Sequence, residues 1–375
     1  MTLSLNDSHI MLRDSAAGYL REHGNVAQLR GLRDDEDAHG FEPKLWAGLG
    51  EMGFNGVLVS EADGGLGLGH VEAGLILEEM GRNLTASPFL STSIGAVTAL
   101  SAGAPHLREK WLPRIVASDV VGAIAVDETA VHCPTVVNVQ MEQAGKNRCC
   151  LRGRKTFVHN GHVADLLIVS VRDASGRGAL FAVDRGAPGI TVSPERFVDS
   201  NLYADILFED VEVDSDCLIA EAGEEADKVL DKMLDALRLG AAAELVGVAS
   251  EAFERTLSYL KERRQFGVSI GSFQALQHRM AHLYSELEVA RSAVLKAQQL
   301  TSAGDSLASK AVTVAKAAAE MAATLAVQEA VQLHGGIGMT DEMDIGLFMK
   351  RAKVLSSSYG SADFQIERFA RLSGF

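Results

Sequence analysis

The chain has 375 residues, 47% of them hydrophobic and 23% charged, which gives material for two or three packed domains and excludes a disordered chain. A formal net charge of −15 repels phosphate backbones at long range and excludes nucleic acid as a partner, so an anionic ligand would have to be met by placed arginines. Cys133, Cys149, Cys150 and Cys217 fall at no metal-ligand spacing, so no metal site is expected. The N-terminus lacks a signal-peptide core, and no uncharged apolar run reaches the ~18 residues of a membrane span, which together suit a reduced, cytoplasmic protein.

From residue 5 to about 120 the apolar residues recur at three- and four-residue spacing. The segments HIMLRDSAAGYLREHG, EPKLWAGLGEMGF, GHVEAGLILEEMGRN and SIGAVTALSAGAPHLREKWLPRIV therefore predict helices. The glycine cluster at 64–69 has no preceding strand and does not match GxGxxG, so it reads as a structural turn. After residue 121 the texture changes to short β-rich runs: VVGAIAV, TVVNVQM, CCLRGRKTFV, ADLLIVSV, ALFAVD, ITVSPE and ADILFEDVEV. Turn signals at EQAGKN, DASGRG and DRGAPG separate several of them, which predicts a small antiparallel sheet or barrel. From EEADKVLDKML onward the chain is helical again and alanine-rich, as close helix packing in a bundle requires. The expectation is an α+β protein with a helical domain at 1–120, a β-domain at 121–222 and a C-terminal four-helix bundle at 223–375.

Within that bundle, RLGAAAELVGVA (238–249) sets one carboxylate, Glu244, among alanines, glycines and aliphatic residues. An isolated acid there would have its charged form destabilised and its proton affinity raised toward neutrality, as a general base requires. The other reading is that Glu244 pairs with a buried arginine or lysine and holds the bundle together. Farther on, Arg263 offers a planar fork of donors suited to a pyrophosphate, and Phe266 a flat apolar surface beside it. Gly335 and Gly336 let backbone approach a ligand with no Cβ in the way.

Two segments, ERRQFGVSIGSFQALQHRMAHLYSELEVARS (262–292) and AVQLHGGIGMTDEMDIGLFMKRAK (330–353), resemble the flavin-binding segments of the acyl-CoA dehydrogenase family. The helix, sheet, helix order is similar to that family's plan over essentially the whole chain. The resemblance implies FAD as cofactor, with Arg263, Phe266 and Gln274 serving the FAD of a neighbouring subunit and Gln332, Gly335 and Gly336 its pyrophosphate and adenosine end. It further implies α,β-dehydrogenation of an acyl-CoA thioester, with electrons passed to an electron-transfer flavoprotein. The assembly would be a homotetramer, or an α2β2 heterotetramer with a second dehydrogenase-like chain. The run YGSAD resembles a bacterial branch associated with bulky or steroid-derived acyl chains.

The pattern breaks at the base. One family position for the carboxylate is occupied here by Tyr359, and the other, just before the arginine matched by Arg238, by Leu237. Glu244 lies seven residues beyond Leu237 on the same helical face, about 10 Å along the axis, and is the expected base. Asp363 is the next candidate, although a helix cap is its ordinary role. In the β-domain, AVDETAVHCP and RKTFVHNGHVAD replace the family's flavin-contacting runs. Phe157 stands for the usual tryptophan, and His159, expected at the surface, stands for a hydroxyl residue. These departures keep two alternatives open: a weakly catalytic partner subunit, and a flavin oxidase or monooxygenase on the same fold.

Overall fold

The computed structural model describes residues 3–145 and 147–375. Its N-terminal helices are α1 (Asp7–His23), α2 (Val26–Asp34), α3 (Pro43–Glu51) and α4 (His70–Asn83). Local chemistry sets their starts. Asn6 and His9 form a reciprocal capping box on α1, and Pro43 opens α3, where its missing N–H costs nothing. The stretch expected as one helical pattern from Ser93 to Val116 is divided: a π-helical turn Leu90–Ala96 runs into α5 (Val97–Ser101), and α6 (Pro105–Val116) restarts at a proline.

Eight strands follow in one sheet, β1 (Gly122–Ala125), β2 (Gln140–Gln143), β3 (Arg148–His159), β4 (Leu166–Asp173), β5 (Gly178–Asp184), β6 (Ile190–Arg196), β7 (Leu202–Asp214) and β8 (Leu218–Ala220). The order is β6-β7-β3-β2-β4-β5-β8, with β1 also on β4. The sheet is mixed, not wholly antiparallel as the turn spacing suggested, because β1 and β2 both run parallel to β4. TVVNVQM is also corrected: only its last two residues lie in β2. β4 is buried at its first six positions, which is why LLIVSV reads as a continuous apolar run. Leu167, Val169 and Val171 on one of its faces join Leu151, Phe181, Ile206 and Phe208 in the sheet's core.

The C-terminal region holds α7 (Glu224–Glu262), a two-residue hairpin β9 (Arg264–Gln265) and β10 (Val268–Ser269), α8 (Gln274–Ser302), α9 (Ala308–His334), α10 (Ile345–Ser357) and α11 (Ala362–Ser373). α9 packs against α8, α10 and α11. Spatially the described residues form two compact bodies, one of 3–30, 70–85 and 238–375, the other of 31–69, 86–145 and 147–237. In the first body, α4 and α7 cross with their backbones nearly touching. A Cβ on Gly81 would lie 2.1 Å from the Glu244 carbonyl oxygen, and one on Gly247 would lie 1.9 Å from that of Glu78. Small residues around Glu244 are therefore what permits the crossing. No helix among the described residues is long and apolar enough to cross a membrane.

Candidate cofactor site

The end of α7, the β9–β10 hairpin and the end of α9 enclose a cavity of about 500 Å³. Gln265 pairs with Val268 across a two-residue turn whose central residues, Phe266 and Gly267, have φ of +55° and +81°. Positive φ at both positions is the type I′ requirement, and it is unfavourable for a phenylalanine. The strain presents Phe266 to solvent at 89% exposure. Beneath the hairpin a small cluster of Leu260, Ile270, Met280 and Leu333 supplies its packing.

Arg263, Phe266, Gln332, Gly335 and Gly336 all line this cavity, so the structure brings together five of the six residues singled out for the cofactor. Gln274 is not among the lining residues; it opens α8 and is exposed. Among the described residues no carboxylate lines the cavity, which makes it a cationic recess on a strongly acidic chain. Two arginines face it. Arg279 is spent on Glu329 at 2.6 Å, whereas the Arg263 guanidinium has no protein partner among the described residues. Gly335 caps α9 with φ +66° and ψ −144°, a region closed to other residues. Gly336 differs. A Cβ there would meet nothing within 4 Å, so the chain's own packing does not demand glycine. His334, missed by the sequence reading, stacks on Tyr259 at 4.3 Å, and burial pushes its imidazole toward the neutral form.

Glu244 has an environment different from the expected one. Its carboxylate accepts from Arg351 Nε at 2.7 Å and from a terminal guanidinium nitrogen at 2.6 Å, with side-chain exposures of 4% and 8%. The isolated-acid expectation is thereby corrected, because a guanidinium at this distance stabilises the charged carboxylate and removes the reason for a raised proton affinity. The partner was visible in the sequence as the arginine of FMKRAK, 107 residues away, but nothing in the spacing linked it to Glu244.

At the other family positions, Leu237 is wholly buried and Tyr359 sits at φ +58°. Arg238 Nε and Gln365 Nε2 both donate to the Tyr359 carbonyl, at 3.0 and 3.1 Å. Lys316, fully buried, donates to the Ser356 carbonyl at 3.2 Å and lies 3.6 Å from Glu320. Burial pushes its amine down to about 8. Asp363 lies in the first turn of α11, whose N-cap is Ser361.

In the sheet, Glu128 and Lys155 form a buried pair at 2.6 Å; the amine also donates to the Val126 carbonyl and the Ser170 hydroxyl, and desolvation lowers it to about 8. Glu128 further accepts from the backbone of Asn138 and Val139. The DETAVH run is thus fastened to the sheet by an ion pair that sequence reasoning passed over. Phe157 occupies a bulge of β3 at φ +55°, 41% exposed and edge-on to Phe197. His159 is corrected from surface to buried, with its ring 4.8 Å from that of Tyr203.

Family models described as the acyl-CoA dehydrogenase N-terminal, middle and C-terminal domains match residues 6–119, 128–211 and 228–373. The chain belongs to the acyl-CoA dehydrogenase family. It is 30% identical to cyclohex-1-ene-1-carbonyl-CoA dehydrogenase of Syntrophus aciditrophicus over 87% of this chain and 80% of that one. Among solved structures it is similar to the ChsE4-ChsE5 complex of Mycobacterium tuberculosis, with a TM-score of 0.90, 26% identity and full coverage of both chains. It is likewise similar to a variant of the Tcur3481-Tcur3483 steroid ACAD, with a TM-score of 0.88 and 29% identity over 99% of this chain and 98% of that one. As an acyl-CoA dehydrogenase family member the protein is a flavoprotein oxidoreductase acting on acyl-CoA in lipid metabolism, and its cofactor is FAD. The residues present fit that cofactor: an uncommitted guanidinium, an acid-free wall and a glycine with open space at its Cβ suit a dinucleotide diphosphate.

Proposed function

We propose that this chain serves the α,β-dehydrogenation of a bulky acyl-CoA as one half of a two-chain flavin site. It contributes the diphosphate end of that site, and a second dehydrogenase-like chain contributes the proton-abstracting carboxylate. The observation that carries this reading is the buried Glu244–Arg351 pair. Leu237 and Tyr359 stand at the two family base positions, and Glu244, the acid expected as base, is committed to an arginine. Similarity to the ChsE4-ChsE5 complex and to the Tcur3481-Tcur3483 steroid ACAD supports both the heteromeric assembly and the bulky substrate.

In this reading Arg263 neutralises phosphate charge through its free fork of donors. Gly335 and Gly336 let the backbone approach the diphosphate, Gln332 offers a side-chain amide, and Phe266 covers the ligand's apolar face once it is bound. Bound FAD supplies the hydride acceptor of the reaction. Glu244 fastens α7 to α10 and moves no proton. Electrons leave to an electron-transfer flavoprotein, as the resemblance implies.

The test is the visible spectrum of the chain purified alone and after co-expression with a second dehydrogenase-like chain from the same source. A folded, nearly colourless chain that gains flavin and acyl-CoA-dependent bleaching only in the co-expressed assembly is expected. About one flavin per chain, bleached by acyl-CoA in the protein purified alone, would refute the two-chain reading.

A further inference from the structure

The segment from Gly335 to Asp344 carries the glycine wall of the cavity, yet little of it is buried. Its 3-10 turn, Gly335–Met339, leaves Ile337 and Met339 at 38% and 75% exposure, with Gly338 as the one buried residue. The segment is fastened from outside by Arg30 of α2. Nε donates to Asp344 Oδ1 at 2.9 Å, one terminal nitrogen to Asp341 Oδ2 at 2.9 Å, and the other to the Asp341 carbonyl at 2.8 Å. All three nitrogens of one guanidinium are therefore spent on a single stretch of four residues. The second oxygen of Asp344 accepts from Arg255 at 2.6 Å, and Arg255 is held by Glu251 at 2.9 Å. Arg82 reaches Glu251 at 3.6 Å, so the charges form a continuous chain back into α7 and α4.

Asp344 supplies a second, independent observation. It is the N-cap of α10, where an aspartate side chain ordinarily accepts from its own helix's free N–H groups. Here it makes no side-chain cap bond and its carboxylate is turned to Arg30 and Arg255. The cap is given up, so what the carboxylate gains lies in where it holds the segment.

We propose that Arg30 is a positioning residue for FAD: its three-point grip on Asp341 and Asp344 sets the Gly335-Gly336 backbone at the distance the diphosphate requires. The inference rests on the reading of the Arg263 cavity as the diphosphate site. Arg30 does not line that cavity and acts through the segment. A lysine could reproduce the charge but not the planar fork, so it would satisfy one of the three contacts at a time. Side-chain exposures of 23% for Arg30 and 25% for Asp344 leave the clamp open to screening.

The experiment measures the Kd for FAD, by quenching of flavin fluorescence, on the assembly as isolated and stripped of flavin. Wild type is compared with Arg30→Ala, Arg30→Lys and Arg263→Ala, each at low and high salt. The expected result is a Kd raised about tenfold in Arg30→Ala, only partly restored in Arg30→Lys, with an unchanged number of flavin sites. The ratio of Arg30→Ala to wild type should shrink as salt rises, because screening loosens the same clamp in wild type. A structural role alone would lower the melting temperature and leave the affinity of the folded assembly untouched. An unchanged Kd in Arg30→Ala beside a weakened Arg263→Ala overturns the positioning role and leaves the FAD reading standing. An unchanged Kd in Arg263→Ala, or no FAD binding by wild type, overturns both.

Discussion

Replacing Arg351 by methionine leaves the Glu244 carboxylate at 4% exposure with its guanidinium gone. Removing one partner of a buried pair costs about 3–5 kcal/mol, since the surviving charge stays desolvated. For a body of this size that corresponds to a fall in melting temperature on the order of 10 °C. Glu244→Leu carries a similar cost from the arginine's side. The double variant Glu244→Leu/Arg351→Met removes both charges and puts apolar groups in their volume, so it should come within about 1–2 kcal/mol of wild type. A coupling of several kcal/mol between the two sites is the signature of the pair. Thermal and urea unfolding of the four proteins measure it. Additive single effects, or a single variant within about 0.5 kcal/mol of wild type, would refute the claim that the pair is a buried framework contact. Glu244→Gln provides the catalytic control. A variant that keeps flavin and stability yet loses substrate-dependent bleaching would return Glu244 to the role of base and remove the main support for a two-chain site.

Three further outcomes separate ligand from scaffold. Gly335→Ala must adopt φ +66° and ψ −144°, so melting temperature and FAD affinity should both fall, whereas Gly336→Ala, with open space at its Cβ, should leave the melting temperature unchanged and lower FAD affinity alone. Equal behaviour of the two in unfolding and flavin titration would contradict this. Phe266→Asn creates the Asn-Gly pair that a type I′ turn prefers, so stability should hold or rise by up to about 1 kcal/mol while FAD affinity drops; unaltered affinity would show that the exposed ring covers nothing. The buried Lys316 amine, lowered from 10.5 to about 8, loses its proton in the folded protein before it does in the unfolded chain. Between about pH 8 and 10.5 the unfolded chain holds more protons, so this residue makes stability rise with pH across that window. Urea unfolding at pH 7.5 and 10 should show that increment in wild type relative to Lys316→Met, and a parallel pair of curves would count against it.

Much of the fold is legible in the chain because its signals are local. Apolar periodicity of three to four residues marked the helices, short β-rich runs such as ADLLIVSV marked strands, and turn signals marked several ends. That five of the six residues singled out would share one recess was legible for a related reason. Arg263 and Phe266 are three residues apart in one hairpin, and Gln332, Gly335 and Gly336 lie in one helix end, so each half of the cavity is a short contiguous motif. The parallel placement of β1 and β2 on β4 escaped the reading because strand direction depends on where distant segments return. Side-chain pairing over long separations escaped it as well. Nothing in RLGAAAELVGVA shows that Arg351 will arrive 107 residues later, nor does α2 announce that Arg30 will grip Asp344. The sequence by itself determined the elements, the family and the presence of an acid in an apolar helix. Whether that acid stands alone or in an ion pair was decided only in the tertiary structure, because the free energy of a buried charge depends on which groups packing brings within hydrogen-bond distance.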